Sequence, residues 1–336
     1  MKKRKVMIDC DTGIDDAVAL VFACGLREKF DILGVTTVAG NVALTDTTRN
    51  TLNVLDLIGA GDIPVAKGAD KPMVRDGMKA SGVHGVTGLR GYEFTENSTA
   101  ALADLPAWDF IYEKVSASEE KVTLMALGPV TNIALMLKKY PDVKDKLDQI
   151  VFMGTSYHDG NPTSIATFNV LVDPEAFRFL LHSGIDVYAC PLETTRTAYV
   201  TMGETEEIGA FGNRAGELVS RIIDSYGVHH IEDGEVIQEA GEEEITEARI
   251  ARSLADQTRT LHDAAVVAYV AFPELFTVQK YYCDVECRGE LTTGFTLIDK
   301  RDYYGKSMME RNLFLIESVN REGFVKELFA AIKNCK

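Results

Sequence analysis

Four aspartates, Asp9, Asp11, Asp15 and Asp16, fall within eight positions of the stretch MIDCDTGIDDAVAL, residues 7–20. They follow a short apolar run and precede an apolar helical one, so the charge sits where the chain is about to bury itself. An unpaired buried carboxylate costs several kcal/mol, and like charges a few ångströms apart raise one another's pKa. A helix start at Asp15 and Asp16 returns only about 0.3–1 kcal/mol through its N-terminal partial charge. A bound cation is the natural completion, and an all-oxygen donor set selects a hard ion, Ca²⁺ or Mg²⁺, over zinc. Neighbouring positions on a helix diverge by about 100°, so one of Asp15 and Asp16 faces a metal while the other faces a substrate. Capping with solvent exposure is the plainer alternative for such a cluster.

Three further groups have side chains suited to chemistry. His262-Asp263, in TLHDAAVVAYVAF, puts an imidazole and another acid at a helix start, where Asp263 also qualifies as an N-cap. His84 lies in the Gly-rich stretch SGVHGVTGL. The loop NPTSIATFN carries two amides, Asn161 and Asn169, on either side of Thr167 and Phe168. Amides in such a loop serve either as turn formers or as ligand hydrogen-bonders.

The elements that would position these residues repeat one pattern: a short β-branched run, small or polar residues, then a helical period. It recurs from Val6, through ILGVTTVAGN ending at Asn41, KVTLMALGPVTN ending at Asn132, QIVFMGTS, and IDVYACPLETT. Alternating strands and helices predict an α/β fold, a single domain over residues 1–336 with a mostly parallel central sheet flanked by helices. Ligands in such sheets bind outside the carboxyl ends of the strands. The opening acids, Asn41, Gly128 and Met153 all fall there, so one cleft collects them. The acidic stretch within 226–260 reads either as a solvated excursion or as a mobile lid, because it ends at His262-Asp263.

Composition narrows the partners. A net charge of −16 argues against nucleic acid, whose binding relies on clustered Lys and Arg. No stretch approaches the about 20 apolar residues of a membrane span, and MKKRK is followed by too short an apolar run for a signal peptide. Six irregularly spaced cysteines read as reduced thiols in a cytoplasmic protein. Cys283 and Cys287 lack the second pair a zinc site needs, and their spacing predicts a shared strand face.

In order, DCDTGIDDAVAL, TTVAGN, VHGVTGL, ALGPVTNIALML, FMGTS, FNVLVDPEAF, LHDAA and TTGFTLID resemble the inosine-uridine preferring nucleoside hydrolases, from residue 6 to about residue 300. The resemblance implies the nucleoside hydrolase fold with its Rossmann-like core, and a calcium-dependent enzyme that cleaves ribonucleosides to ribose and free base. It implies that Asp11, Asp16, the Leu127 carbonyl and Asp263 hold Ca²⁺, with Asp11 also the base that activates a bound water. Asp15, Asn41, Asn161 and Asn169 would bind ribose, with Met153 packed nearby. His84 and His262 would lie near the base, His262 serving the leaving group. Having His rather than Trp before Asp263 resembles the pyrimidine-accepting branches. The resemblance also implies a homodimer or homotetramer and a small-molecule nucleoside as the partner.

Glycosidic cleavage passes through an oxocarbenium-like state, and an aspartate-rich floor suits the positive charge that develops on the sugar. The chain departs from the family at Cys10, commonly Thr, and at Thr167, where the family usually carries a glutamate beside the sugar. Losing that charge-assisted acceptor removes about 1.5–3 kcal/mol, which favours a ribosyl group altered at its 5′ side or weaker turnover of ordinary nucleosides. Two rivals stand beside the hydrolase: a phosphatase of the haloacid dehalogenase type, disfavoured because Gly13 occupies the place of a needed Thr or Val, and a calcium-dependent nucleoside or sugar sensor without turnover.

Overall fold

A computed structural model describes residues 2–226, 258–307 and 309–336. The strand-forming runs become β1 (Arg4–Cys10), β2 (Phe30–Thr37), β3 (Val65–Lys67), β4 (Val122–Ala126), β5 (Leu147–Met153), β6 (Val187–Cys190), β7 (Tyr199–Thr201), β8 (Thr258–Thr260), β9 (Phe276–Tyr281), β10 (Cys283–Val285), β11 (Thr296–Ile298) and β12 (Leu313–Val319). Eight of them form one sheet in the order β3-β2-β1-β4-β5-β6-β12-β9, parallel throughout except for the antiparallel edge pair β12 and β9. The mostly parallel sheet expected from the alternating pattern is therefore present. β7 with β8, and β10 with β11, make two small antiparallel ribbons.

The helices are α1 (Ile14–Gly25), α2 (Leu44–Leu57), α3 (Ser81–His84), α4 (Ala107–Ala117), α5 (Thr131–Lys139), α6 (Phe168–Val172), α7 (Pro174–Leu181), α8 (Leu192–Thr195), α9 (Met202–Gly209), α10 (Arg214–Ser225), α11 (His262–Ala271) and α12 (Arg321–Asn334). Helices α1, α10, α11 and α12 cover one face of the sheet with one apolar cluster, and α4, α5 and α7 cover the other with a second. Burial on both faces explains why β4, VTLMA, has no exposed position. Every residue of α1 is buried, as its nearly all-round apolar composition dictates for a central helix. Gly25 lets α1 cross α12 closely, since a Cβ there would run into the Ala331 carbonyl, and Phe22 meets Phe324 edge-on at 6.2 Å.

β1 lies between β2 and β4, so the strand order reverses there and leaves a crevice at their carboxyl ends. This is the position that gathers the acids. The expected lid, 226–260, lies outside the described residues except for Tyr226 and Thr258–Thr260. No described helix is long and apolar enough to cross a membrane. All six cysteines are free. The shared strand face expected for Cys283 and Cys287 does not form: β10 pairs with β11 over only three residues, and Cys287 lies past its end.

Candidate active site

The turn from β1 into α1 is built around Asp16. Its Oδ1 accepts the Asp11 N–H at 3.1 Å and its Oδ2 the Gly13 N–H at 3.0 Å, which ties the first turn of α1 back onto the strand end. The Asn41 amide reaches in from the end of β2, donating to Asp16 Oδ2 at 3.0 Å and to the Asp11 carbonyl at 3.2 Å. The backbone N–H of Asn41 holds Asp11 Oδ2 at 2.7 Å. Gly40 and Gly128 are glycine for a packing reason, because a Cβ on either would run into the Asp11 carboxylate.

Asp263 arrives from the start of α11. The N-cap there is Leu261, so Asp263 lies inside the first turn instead of capping it, and its side chain turns to the other acids. Carboxylate oxygens of Asp15, Asp16 and Asp263 lie within 4.8 Å of one another, and all three residues are buried. Burial, then the charge of Asp16, pushes Asp15 up to about 8. Burial, then the neighbouring aspartates, raises Asp11 and Asp263 as well. Burial raises Asp16 against the pull of the Gly13 and Asp11 N–H groups. His84 lies 4.0 Å from Asp15, and burial lowers it to about 4, so it supplies no compensating charge near neutral pH. Crowded buried carboxylates of this kind fit a divalent cation, and oxygen donors alone fit a hard one.

Above the acids opens a pocket of about 330 Å³, within the range of small-molecule sites. Of the residues singled out in the sequence, Asp11, Asp15, Asn41, His84, Leu127 and Met153 line it, and so do Asn161, Thr167, Phe168, Asn169, His262 and Asp263. Asp16 does not line the pocket and is fully buried.

Asn169 Nδ2 donates to the Leu127 carbonyl at 2.6 Å and the Met153 carbonyl at 3.0 Å, which joins the ends of β4 and β5. Asn161 Oδ1 accepts the Phe168 N–H at 2.9 Å, so its amide nitrogen is the part left to meet a ligand. Thr167 Oγ1 accepts the Thr155 N–H at 3.1 Å, and Thr155 itself has φ of 77°, a left-handed backbone rare outside glycine. His84 Nδ1 accepts the Ile14 N–H at 3.1 Å, and its ring lies 5.9 Å from that of Tyr226. His262 is lowered to about 4 by burial, then by the charge of Arg196.

The family described as inosine-uridine preferring nucleoside hydrolase matches residues 6–326. The pyrimidine-specific ribonucleoside hydrolase RihA of Shewanella woodyi is 34% identical over 330 residues, covering 98% of each chain, and that of Escherichia coli is 35% identical over 328 residues with the same coverage.

The chain belongs to the inosine-uridine preferring nucleoside hydrolase family.

Solved structures agree on the fold. A purine-preferring ribonucleoside hydrolase from Gardnerella vaginalis superposes with a TM-score of 0.83 at 27% identity, covering 98% of both chains. An inosine-guanosine nucleoside hydrolase gives 0.81 at 29% identity, again over 98% of both. Within this nucleoside hydrolase, some pocket residues carried no sequence signal. Met78 and Lys79 reach the pocket from a loop without period or motif. Tyr226, at the start of the acidic stretch, lines the pocket as well. Thr195, whose Oγ1 lies 2.7 Å from His262 Nδ1, sits in a run that read simply as the end of a strand.

Proposed function

We propose that this nucleoside hydrolase cleaves the N-glycosidic bond of ribonucleosides, pyrimidine nucleosides and inosine, to ribose and free base with Ca²⁺ as its metal. The observation that carries the reading is the trio Asp15, Asp16 and Asp263, buried together beside a nucleoside-sized pocket, with the neutral His84 at 4.0 Å from Asp15. Asp16 and Asp263 would hold the ion, with Asp11 and the Leu127 carbonyl beside them. A bound divalent ion supplies charge compensation for the acids and lowers the pKa of water at the site.

The chain's own groups account for the rest. Asp11, fixed by the Asn41 N–H, is placed to accept a proton from the attacking water. Asp15, on the pocket wall, accepts from ribose hydroxyls, and the free amide nitrogen of Asn161 donates to the sugar. The carboxylate floor stabilises the positive charge of the oxocarbenium-like state. His84 and His262 offer ring nitrogens to the base, and the two RihA relatives, both pyrimidine-specific by name, support a pyrimidine preference.

A panel of uridine, cytidine, inosine and adenosine, assayed for reducing sugar with calcium and with chelator, tests the proposal. Release of ribose from uridine, abolished by chelator and restored by calcium, is the expected result. Binding of uridine without any sugar release would leave a sensor in place of an enzyme.

A further inference from the structure

His262 has two ring nitrogens, and what one of them offers the pocket is decided by what the other is doing. Nδ1 lies 2.7 Å from the hydroxyl oxygen of Thr195, a fully buried residue at the end of α8. Nε2 is therefore the nitrogen left for a ligand in the pocket that His262 lines.

The Thr195 hydroxyl has one proton and two acceptors within reach: Nδ1 at 2.7 Å and the Leu192 carbonyl at 3.3 Å. That carbonyl already accepts the Arg196 N–H at 2.9 Å. The shorter contact, to a ring nitrogen that meets no other donor among the described residues, takes the proton. His84 shows the same arrangement without ambiguity, because its Nδ1 accepts a backbone N–H, which only donates.

We propose that Thr195 is a positioning residue which fixes His262 as the Nε2–H tautomer, so that the ring presents an N–H donor to the departing base. This rests on the hydrolase reading above. When the C–N bond breaks, its electron pair remains on the base, and negative charge spreads onto base nitrogen and carbonyl oxygen. A hydrogen bond from Nε2–H stabilises that charge, and no proton has to leave the ring. Without the hydroxyl, Nδ1 competes for the proton, and Nε2 turns a lone pair toward the leaving group.

The test combines a spectroscopic signature with a leaving-group comparison. In protein labelled with ¹⁵N-histidine, which has six histidines, two-bond ¹H–¹⁵N correlations at pH 7.5 report which nitrogen carries the proton, with His262→Ala for assignment. The wild type and Thr195→Ser should show His262 protonated at Nε2, and Thr195→Val should show Nδ1–H appearing. With calcium, Thr195→Val should lose about 100-fold in kcat for uridine, with KM changed less than about threefold, and Thr195→Ser should recover most of that loss. For p-nitrophenyl riboside, whose phenolate departs unaided, the loss should be about threefold or less. An Nδ1–H tautomer in the wild type, or equal losses on both substrates, overturns the proposal. A wild type that cleaves no nucleoside overturns the hydrolase reading instead, while the nitrogen signals still decide the role of Thr195.

Discussion

Replacing Asp263 by asparagine removes one of three carboxylates whose oxygens lie within 4.8 Å of one another. At that separation two unit charges repel by about 3.5 kcal/mol at an effective dielectric constant of about 20. In chelator the wild type escapes this cost by keeping protons on the cluster, where burial, and after it the charge of Asp16, pushes Asp15 up to about 8. A carboxylate raised above its unfolded value near 4 stabilises the fold while protonated, and that contribution is lost as pH rises toward the folded pKa. Chelated wild type should therefore melt at progressively lower temperature from pH 5 to pH 8, and calcium should raise the melting temperature most at the alkaline end. A ligand at 100 times its Kd stabilises by about 2.7 kcal/mol. With an unfolding entropy of about 2.1 cal/mol/K per residue, this chain of 336 residues should gain about 4 °C. Asp263→Asn should melt above the wild type in chelator at pH 8 and lose that calcium response. Differential scanning calorimetry at four pH values, with calcium and with chelator, makes the measurement. A wild-type melting temperature indifferent to calcium, or an Asp263→Asn protein that keeps the full calcium gain, would refute the reasoning.

Other substitutions probe separate links. Gly128→Ala places a Cβ against the Asp11 carboxylate, so ribose release from uridine should fall by about 100-fold or more while the far-ultraviolet circular dichroism is unchanged. Gly25→Ala pushes α1 off α12 at the Ala331 carbonyl and should cost about 1–3 kcal/mol in urea unfolding, with KM for uridine unaltered in the folded fraction. Thr167→Glu puts a carboxylate on the pocket wall where a hydroxyl now accepts the Thr155 N–H. It should raise kcat/KM for uridine relative to a 5′-modified analogue by about tenfold, and unchanged values for both would dismiss a role for this position in substrate choice.

The parallel sheet was legible because each strand of its centre is a short apolar run ending in small or polar residues, and the pocket residues cluster at those ends. Asp9, Asp11, Asp15 and Asp16 stood out because charge in an apolar context needs a partner. Their separate roles did not. Asp9 stands apart from Asp15, Asp16 and Asp263, taking Thr36 Oγ1 at 2.6 Å and Asn132 Nδ2 at 2.8 Å, and the second pairing spans more than a hundred residues of sequence. Asp16 reads like its neighbour Asp15, yet only the geometry of the turn shows it fully buried and tied to the Asp11 and Gly13 N–H groups, off the pocket that Asp15 lines. Thr195 was invisible for a similar reason: a threonine after a strand has no distinguishing spacing, and its meaning comes from the histidine that the fold brings from 67 residues away.

Titration of Ca²⁺ into chelator-stripped protein at pH 7.5, followed calorimetrically in two buffers of different ionisation enthalpy, tests the central claim most directly. The account predicts one ion per chain, bound with release of protons from the crowded acids, and loss of that binding in Asp263→Asn. Absence of binding, or an ion taken up equally well after that substitution, would contradict it.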